Sequence, residues 1–284
     1  MTAGTLNVAG GATLTLSDTN NIGATNIAAT GTVTASQSDS LGTGTVANAG
    51  TLNLNGAGTV SNVLSGAGDV NVNDDIVLTG NSTATGTLTV AAGKSLTIGS
   101  GTTGSYAGNI ANGGTSVTFD RSNDLTYGGV LSGTGNVIQA GAGTLMLSGT
   151  NTYTGTTAVN AGKVVVNNIS ALGTGSVSVG ASGATLDVNG NSVTNAITLN
   201  GGSLVNDNTT TSATLAGATL GANSKVGGSG DVTFNTAFTG TYALEKVGTG
   251  TTTLTADNTA LTGTTISAGK LRLTGSGTAG NVTL

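Results

Sequence analysis

Cysteine, proline, histidine and tryptophan are all absent from this chain of 284 residues, and aromatic residues make up only 2% of it. A chain without cysteine has no disulfide framework and no thiolate metal site. Charge is scarce as well: 7% of the residues are charged, against about a quarter in a typical soluble domain. The seven Lys and Arg residues are scattered and offer no basic patch for a row of phosphates. These shortages argue against nucleic acid as a partner.

Long apolar segments are also missing, and a membrane-spanning helix needs about 18 consecutive apolar residues. The N-terminus, Met1 to Leu6, lacks the basic and apolar stretches of a secretory signal. Both ends of the chain fall inside its repeating pattern. We therefore expect a segment of a longer chain.

Glycine and β-branched residues are what the chain has in abundance. It contains 50 Gly, and 36% of its residues are hydrophobic, with Val, Ile, Leu and Thr throughout. Such residues suit a pleated, half-buried surface, whereas disordered chains combine high charge with few of them. The chain is therefore expected to bury apolar surface in many small portions.

Pairs of aliphatic residues two positions apart recur from one end of the chain to the other. Examples are Leu6/Val8, Leu14/Leu16, Leu52/Leu54, Val70/Val72, Leu88/Val90, Leu145/Leu147, Val164/Val166, Ile197/Leu199 and Leu271/Leu273. Alternation of this kind predicts strands with one buried face. No segment has a 3.6-residue period with helix caps, so we predict no substantial helix.

The intervals between these pairs indicate how the strands are connected. The interval from Leu6 to Leu14 is short and suits one strand and a bend. The interval from Val70 to Leu88 is more than twice as long and suits a full coil that returns to the same face. Gly and Asn between the pairs favour turns, and Asn-Gly can also form hairpins. Hairpin-built sandwiches normally carry aromatic anchors, which are scarce here.

We predict an all-β, right-handed parallel β-helix of about twelve coils. It is expected to form a single domain over residues 1–284.

An ordered series of short motifs lies within residues 119–166. In chain order these are Asp124-Leu125-Thr126-Tyr127-Gly128, Ser132-Gly133-Thr134-Gly135, Gly141 to Leu147, Asn151 to Thr157, and Ala161-Gly162. The series resembles the passenger-associated repeat of bacterial autotransporters, the type V secretion proteins. A weaker copy lies near residues 231–273, with Ala260 at a Tyr position of the motif. In the first copy Gln139 stands where the family often has Lys.

The resemblance implies a β-helical passenger that is exported and then displayed outside the outer membrane or released. In that family the link to the membrane is a C-terminal barrel, which is absent from this sequence. The resemblance thus implies an extracellular location at the bacterial surface, or secretion.

Catalysis on a β-helix would require clustered carboxylates, usually with Arg, Lys or His. This chain has a single Glu, Glu245, and its Asp residues are scattered. We therefore predict no enzyme, no catalytic residue, no cofactor-binding residue and no cofactor. The densest acidic stretch, Asp69 to Asp75, could form a weak Ca²⁺ site, but it lacks the nonapeptide of Ca²⁺-binding β-rolls. A solvated strand and turn is the favoured interpretation, so no metal site is predicted.

Three further groups of residues are candidate sites. The segment Asp120 to Asp124 is interpreted as a loop with an ion pair rather than a site. Outward Thr ranks could bind ice, although their irregular spacing favours β-propensity as the cause; they are Thr13/Thr15, Thr32/Thr34, Thr83/Thr85/Thr87 and Thr251/Thr252/Thr253. Isolated Tyr residues could stack on sugars but are more often packing lids; they are Tyr106, Tyr127, Tyr153 and Tyr242.

The sequence as a whole favours a non-enzymatic surface protein that acts in adhesion or self-association. Many weak hydrogen bonds from Thr, Ser and Asn would act together through multivalency. The partner would be a host-surface glycan or protein, or a second copy in trans. A passive stalk that displays an effector domain is the alternative, and a glycan-processing β-helix enzyme is a third.

Overall fold

The computed structural model describes residues 3–181 and 183–284. All the secondary-structure elements of these residues are β-strands. None of them forms a helix that is long and apolar enough to cross a membrane. The described residues fall into two compact units. The first runs to Gly141 and includes Asn151–Gly155, and the second comprises Ala142–Thr150 and Thr156–Leu284.

The first unit contains strands β1 to β17, all of them short. They are β1 Gly4–Val8, β2 Thr13–Leu16, β3 Ile22–Ile27, β4 Thr32–Ala35, β5 Thr45–Asn48, β6 Thr51–Leu54, β7 Gly58–Val60, β8 Leu64–Ser65, β9 Asp69–Val72, β10 Ile76–Leu78, β11 Leu88–Val90, β12 Ser95–Ile98, β13 Ile110–Asn112, β14 Ser116–Phe119, β15 Leu125–Tyr127, β16 Leu131–Gly133 and β17 Asn136–Gln139.

The second unit contains strands β18 to β33. They are β18 Thr144–Leu147, β19 Thr157–Val159, β20 Lys163–Val166, β21 Val177–Val179, β22 Thr185–Asp187, β23 Ile197–Asn200, β24 Ser203–Val205, β25 Ala213–Leu215, β26 Thr219–Ala222, β27 Ser224–Gly227, β28 Val232–Phe234, β29 Ala243–Val247, β30 Thr251–Leu254, β31 Gly263–Ile266, β32 Lys270–Leu273 and β33 Val282–Thr283.

Each unit is a stack of coils, a coil being the passage of the chain from one strand to the next strand of the same sheet. In the first unit the sheets have the orders β1-β3-β5-β8, β2-β4-β6-β9-β11-β13-β16 and β7-β10-β12-β14-β17. In the second they are β18-β20-β22-β24-β27-β29-β31-β33, β19-β21-β23-β26 and β25-β28-β30-β32. The pairs between these strands are parallel, for example β6 with β9 and β20 with β22. The predicted parallel β-solenoid is therefore confirmed.

The interior of each unit consists of aliphatic columns, because the register places like residues over like. In the first unit Leu52 pairs with Val70, and Leu88 follows in the same column. All three side chains are fully buried. In the second unit Leu145 pairs with Val164, which pairs with Leu186. Two-residue alternation thus predicted the buried face of these strands correctly, whereas Leu273, which the same alternation predicted to be buried, is 44% exposed.

The described residues form about 14 coils rather than the twelve expected from the sequence. The expectation assumed about 20–25 residues per coil. Many coils are shorter than that. Leu52 already lies over Val33 in the stack, and Val70 lies over Leu52.

A column of glycines lies where consecutive coils of the first unit approach each other closely. A Cβ added to Gly86 would overlap the carbonyl oxygen of Gly68, and one added to Gly108 would overlap that of Gly86. Buried tyrosines bond to carbonyls of this glycine column: the Oη of Tyr106 donates to Gly86 O (2.9 Å) and that of Tyr127 to Gly108 O (2.7 Å). Only a residue without a Cβ fits these positions.

Candidate functional site

The acidic stretch Asp69 to Asp75 is bound to neighbouring coils. Asp69 Oδ1 accepts a hydrogen bond from Thr87 N (3.1 Å), and Asp75 Oδ1 accepts from both N and Oγ of Ser95 (2.8 Å each). The Nζ of Lys94 lies 2.7 Å from Asp74 Oδ1. Within residues 3–181 and 183–284, no group of three or more Asp or Glu side chains is arranged to hold a metal ion. The carboxylates connect coils instead.

Arg121 makes bonds that differ from those expected of the loop 120–124. Its guanidinium donates to Gly104 O (2.6 Å), Thr102 O (2.8 Å) and Asn123 Oδ1 (3.1 Å). The prediction that Arg121 forms an ion pair in this loop is therefore wrong. Its guanidinium bonds instead to two backbone carbonyls and to the side-chain amide of Asn123. It fastens this loop to the loop of the preceding coil.

Three of the four tyrosines are buried and unable to stack on a sugar. Tyr106, Tyr127 and Tyr153 are at most 3% exposed, which agrees with their interpretation as packing residues. Burial of the phenol raises the pKa of Tyr106 to about 12. Tyr242 differs, being 39% exposed on the segment before β29.

The Thr ranks are partly outward and partly interior. Thr13 and Thr15 pair with Thr32 and Thr34 in register. Thr252, however, is fully buried and pairs with Val232. The prediction that Thr252 faces outward was therefore wrong. Alternate residues of a strand face opposite sides, so the middle residue of the run Thr251-Thr252-Thr253 faces the core.

A polar row on the outer face of β2, β4, β6, β9 and β11 includes Thr15 and Thr34 and extends over the following coils. In register it consists of Thr15, Thr34, Asn53, Asn71 and Thr89. Its amides bond along the stack: Asn71 Nδ2 donates to Asn53 Oδ1 (2.8 Å), and Asn53 Nδ2 donates to Thr34 Oγ1 (3.2 Å). The row presents hydroxyls and amides in a fixed, coil-by-coil order.

Lys246 is a buried residue that the site analysis of the sequence missed. Its side chain has no exposed surface and lies in the same column as Val226 and Ile266. The ammonium donates to the carbonyl oxygens of Val247 (2.7 Å), Gly248 (2.8 Å) and Ala268 (3.1 Å). An ammonium has three donors, so all are used. Burial lowers the pKa of this lysine.

Gln139 occupies the equivalent position in the first repeat. It is 3% exposed, and its Nε2 donates to Gly141 O at 2.7 Å, as Lys246 donates to Gly248. The two repeats align Gln139 with Lys246, and the two side chains make the same contact to the following turn.

Most of the remaining cations are paired with carboxylates on other coils. Lys163 Nζ lies 2.8 Å from Asp187 Oδ2 and 2.8 Å from Asp207 Oδ2. Burial acts to lower the pKa of Lys163, but the hydrogen bonds to the two carboxylates outweigh it and the pKa is raised. Lys225 lies 3.1 Å from Glu245 Oε2.

Lys270 and Arg272 lie on the outer face of β32 and line a groove of about 590 Å³. The register places Lys270 beside Thr251 and Arg272 beside Thr253. The groove is lined by Ser212, Asp231, Thr233, Thr251, Thr253, Lys270, Leu271 and Arg272. The groove contains hydroxyl groups and both signs of charge.

A second cavity of about 290 Å³ shares Ser212 and Asp231 with this groove. Its wall includes residues 208–212, which lie in the loop between β24 and β25. Asn208 Oδ1 orders that loop by accepting from Thr210 N (3.0 Å), Thr210 Oγ1 (2.8 Å) and Thr211 N (3.0 Å). We call the larger of these two cavities, of about 590 Å³, the β32 groove.

Comparison with known proteins identifies the repeats. The family described as passenger-associated-transport-repeat matches residues 137–166 and 244–273. The chain is also similar to the "Adhesin BmaC autotransporter" of Brucella suis biovar 1 (strain 1330), with 34% identity over 203 residues. The aligned part is 71% of this chain but 5% of that protein. No solved structure matches the chain.

The repeats coincide with specific structural features. The matched segments contain Gln139 and Lys246, the turns that these residues hold, and the strands β18, β20, β30 and β32. The repeat family, the autotransporter relative and the parallel β-solenoid agree with one another. The chain is a passenger region of a bacterial autotransporter.

Proposed function

We propose that this passenger region is non-enzymatic and acts in adhesion or self-association at the bacterial surface, where it is displayed or from which it is released. The observation that carries the proposal is the outward row Thr15, Thr34, Asn53, Asn71 and Thr89, held in register by parallel pairing. Side-chain hydroxyls and amides both donate and accept hydrogen bonds. Repetition at each coil allows many weak contacts to act together.

The relative's printed name supports adhesion, and the charged groups support a binding role over a catalytic one. Acid–base catalysis needs carboxylates within reach of one reacting group. Here Asp69, Asp75 and Glu245 each bond to groups of an adjacent coil. These carboxylates stabilise the stack.

Surface display of the chain tests the proposal. The chain would be fused to an outer-membrane carrier in a bacterium that neither aggregates nor adheres, and resistance to trypsin would report folding. We expect the cells to settle faster, or to bind host-cell monolayers, when compared with cells that carry the carrier alone. Folded display with neither effect would favour a passive stalk and contradict adhesion.

A variant with part of the polar row removed provides the matched control. Asn53→Ala and Asn71→Ala delete the two amides that connect this row without touching the interior. We expect weaker aggregation or adhesion with unchanged trypsin resistance. Release of new reducing ends from a panel of glycans would instead support the enzymatic alternative.

A further inference from the structure

The seven cations of the chain divide into those that serve the fold and those that do not. Five are bound internally, either to carboxylates (Lys94, Lys163, Lys225) or chiefly to backbone carbonyls (Arg121, Lys246). The other two, Lys270 and Arg272, are exposed. Among the described residues, neither of these two side chains makes a hydrogen bond or an ion pair.

Both unpaired cations face the β32 groove. They are two positions apart on one strand, so their Cα atoms are separated by about 7 Å on the same face. The nearest acid in the groove, Asp231, lies in the row of Lys270 but two coils away, since Thr251 intervenes. At about 4.8 Å per coil this is about 10 Å between backbones. The positive charge at one end of the groove is therefore left uncompensated.

The floor of the groove is made of hydroxyls. Thr233 and Thr253 are in register with each other, and Thr253 is in register with Arg272. Thr251 lies in the adjoining row beside Lys270. These hydroxyls are half-buried and held on strands, so they are pre-positioned. A hydroxyl-rich ligand could exchange hydrogen bonds with several of them at once.

Asp231 adds an acceptor at the other end. Its Oδ1 accepts from Thr251 N at 2.7 Å. Its Oδ2 accepts no hydrogen bond from the residues that the structure describes, so it can accept one from a ligand hydroxyl. No aromatic ring lines the groove, so recognition there must rest on hydrogen bonds and charge rather than on stacking. The volume of about 590 Å³ lies within the usual range of ligand sites.

We propose that the β32 groove binds an acidic glycan chain, with Lys270 and Arg272 contacting its carboxylate or sulfate groups and the threonines contacting its sugar hydroxyls. Arg and Lys form strong charge-assisted hydrogen bonds to such anions. The proposal deepens the adhesive function proposed above and rests on it for its biological meaning, but the binding itself can be measured independently.

Titration of the purified full chain by calorimetry tests the site. The probes are a hyaluronan octasaccharide, which carries carboxylates only, a heparin-derived octasaccharide, which also carries sulfates, and neutral malto-octaose. We expect binding of one or both acidic probes and none of the neutral one. The affinity should fall when salt is raised from about 50 to about 500 mM, because screening weakens exposed charge contacts.

The variant Lys270→Gln with Arg272→Gln should bind the acidic probe about tenfold more weakly or worse. The matched control is Lys94→Gln with Lys225→Gln, which removes the same charge from cations that already have partners. We expect the control to retain its affinity within about twofold. Unfolding midpoints of both variants would show that each is folded.

Three results would overturn the proposal: no binding of either acidic probe, equal loss in both double variants, or tighter binding of a thymidine octanucleotide than of the glycans. Failure of this site and failure of adhesion are distinguishable. If cells that display the Lys270→Gln, Arg272→Gln variant adhere as well as those that display the wild type, adhesion stands but does not depend on this groove. If the purified chain binds the glycan but the displaying cells do not adhere, the groove is a binding site and the adhesive function is wrong.

Discussion

The ammonium of Lys246 lies in the interior of the second unit and bonds to three carbonyl oxygens, without a carboxylate among its hydrogen-bond partners. Two of these carbonyls belong to the end of β29 and the turn after it, and the third, Ala268 O, belongs to the turn before β32. The side chain thus joins two turns from inside the stack. Gln139 makes the corresponding contact to Gly141 with a neutral amide.

This environment gives the stability of the second unit a pH dependence. Burial holds the pKa of Lys246 below its ordinary value of 10.5 in the folded chain. Between the lowered pKa and 10.5 the unfolded chain therefore binds more protons, and stability rises with pH across that window. Below the folded pKa, the penalty for burying the charged form is present in full.

We predict that Lys246→Gln removes this rise. The measurement is urea unfolding of both proteins at several pH values between about 7 and 10.5. The difference in unfolding free energy should change in favour of the wild type as pH increases. Ionisation of the buried tyrosines acts in both proteins and cancels in the difference. A pH-independent difference would contradict the prediction.

At the scale of the strand, β30 shows how alternation assigns one side chain to the core and the next to the surface. Thr252 is fully buried and its Oγ1 has no hydrogen-bond partner. Thr253, the following residue, lines the β32 groove. A buried hydroxyl without a partner is costly, whereas a half-exposed one is hydrated.

Thr252→Val should therefore stabilise the second unit by about 1 kcal/mol, because valine keeps the shape and removes the unbonded hydroxyl. Thr253→Val is the control and should change stability by less than about 0.5 kcal/mol. Denaturant unfolding measures both. Destabilisation by Thr252→Val would mean that the hydroxyl has a partner, such as an interior water.

The glycine column makes a second prediction at this scale. A Cβ on Gly129 would overlap Gly108 O and would lie 2.7 Å from Tyr127 Oη, whereas a Cβ on the adjacent Gly128 would meet nothing within 4 Å. Gly129→Ala should lower the unfolding free energy by about 1–3 kcal/mol through overpacking. Gly128→Ala, compared by the same denaturant unfolding, should be nearly neutral. Equal effects would refute close coil contact as the reason for this glycine.

At the scale of the whole molecule, each unit gains stability from contacts between neighbouring coils. Strands pair with the coil before and the coil after, as β9 pairs with β6 and β11. In such a stack stability is approximately a sum over nearest neighbours. Removing one complete coil should therefore leave the rest able to close up.

Deletion of residues 88–109 is predicted to preserve folding. It removes β11 and β12 and brings Ile110 over Val70, because Leu88 pairs with Val70 on one side and with Ile110 on the other. Gly129 would then stack on Gly86. Unfolding should stay cooperative, with an m-value reduced by about one coil in 14. The control deletion, 88–98, removes those strands but leaves the rest of the coil, so it should unfold the first unit as seen by circular dichroism.

The fold could be predicted from the sequence because its rule is local. Pairs such as Leu52 and Leu54 show which face is buried, and the interval to Val70 shows the length of a coil. The sidedness of Thr252 could not be read from a run of three threonines, since all three suit a strand equally. The repeat motif helped to place Gln139 but not to show that its side chain is interior.

The candidate site was much less predictable. Lys270 and Arg272 alternate with Leu271 and Leu273 and therefore look like ordinary outward residues. The β32 groove exists only because Asp231, Thr251 and Lys270, which belong to three successive coils, fall into one row. That alignment depends on the exact length of every intervening coil, and no local pattern in the sequence reports it.

The parallel pairing of the strands within each unit has a mechanical consequence. Each strand pairs with a strand of the coil before and a strand of the coil after, as β9 does with β6 and β11, so tension on one end of a unit would open one row of backbone hydrogen bonds at a time. A peeled coil of about 20 residues would lengthen the chain by about 65 Å, its extended span less one coil spacing. Under flow, such a passenger would unfold one coil at a time, and the coils that are still stacked would stay folded.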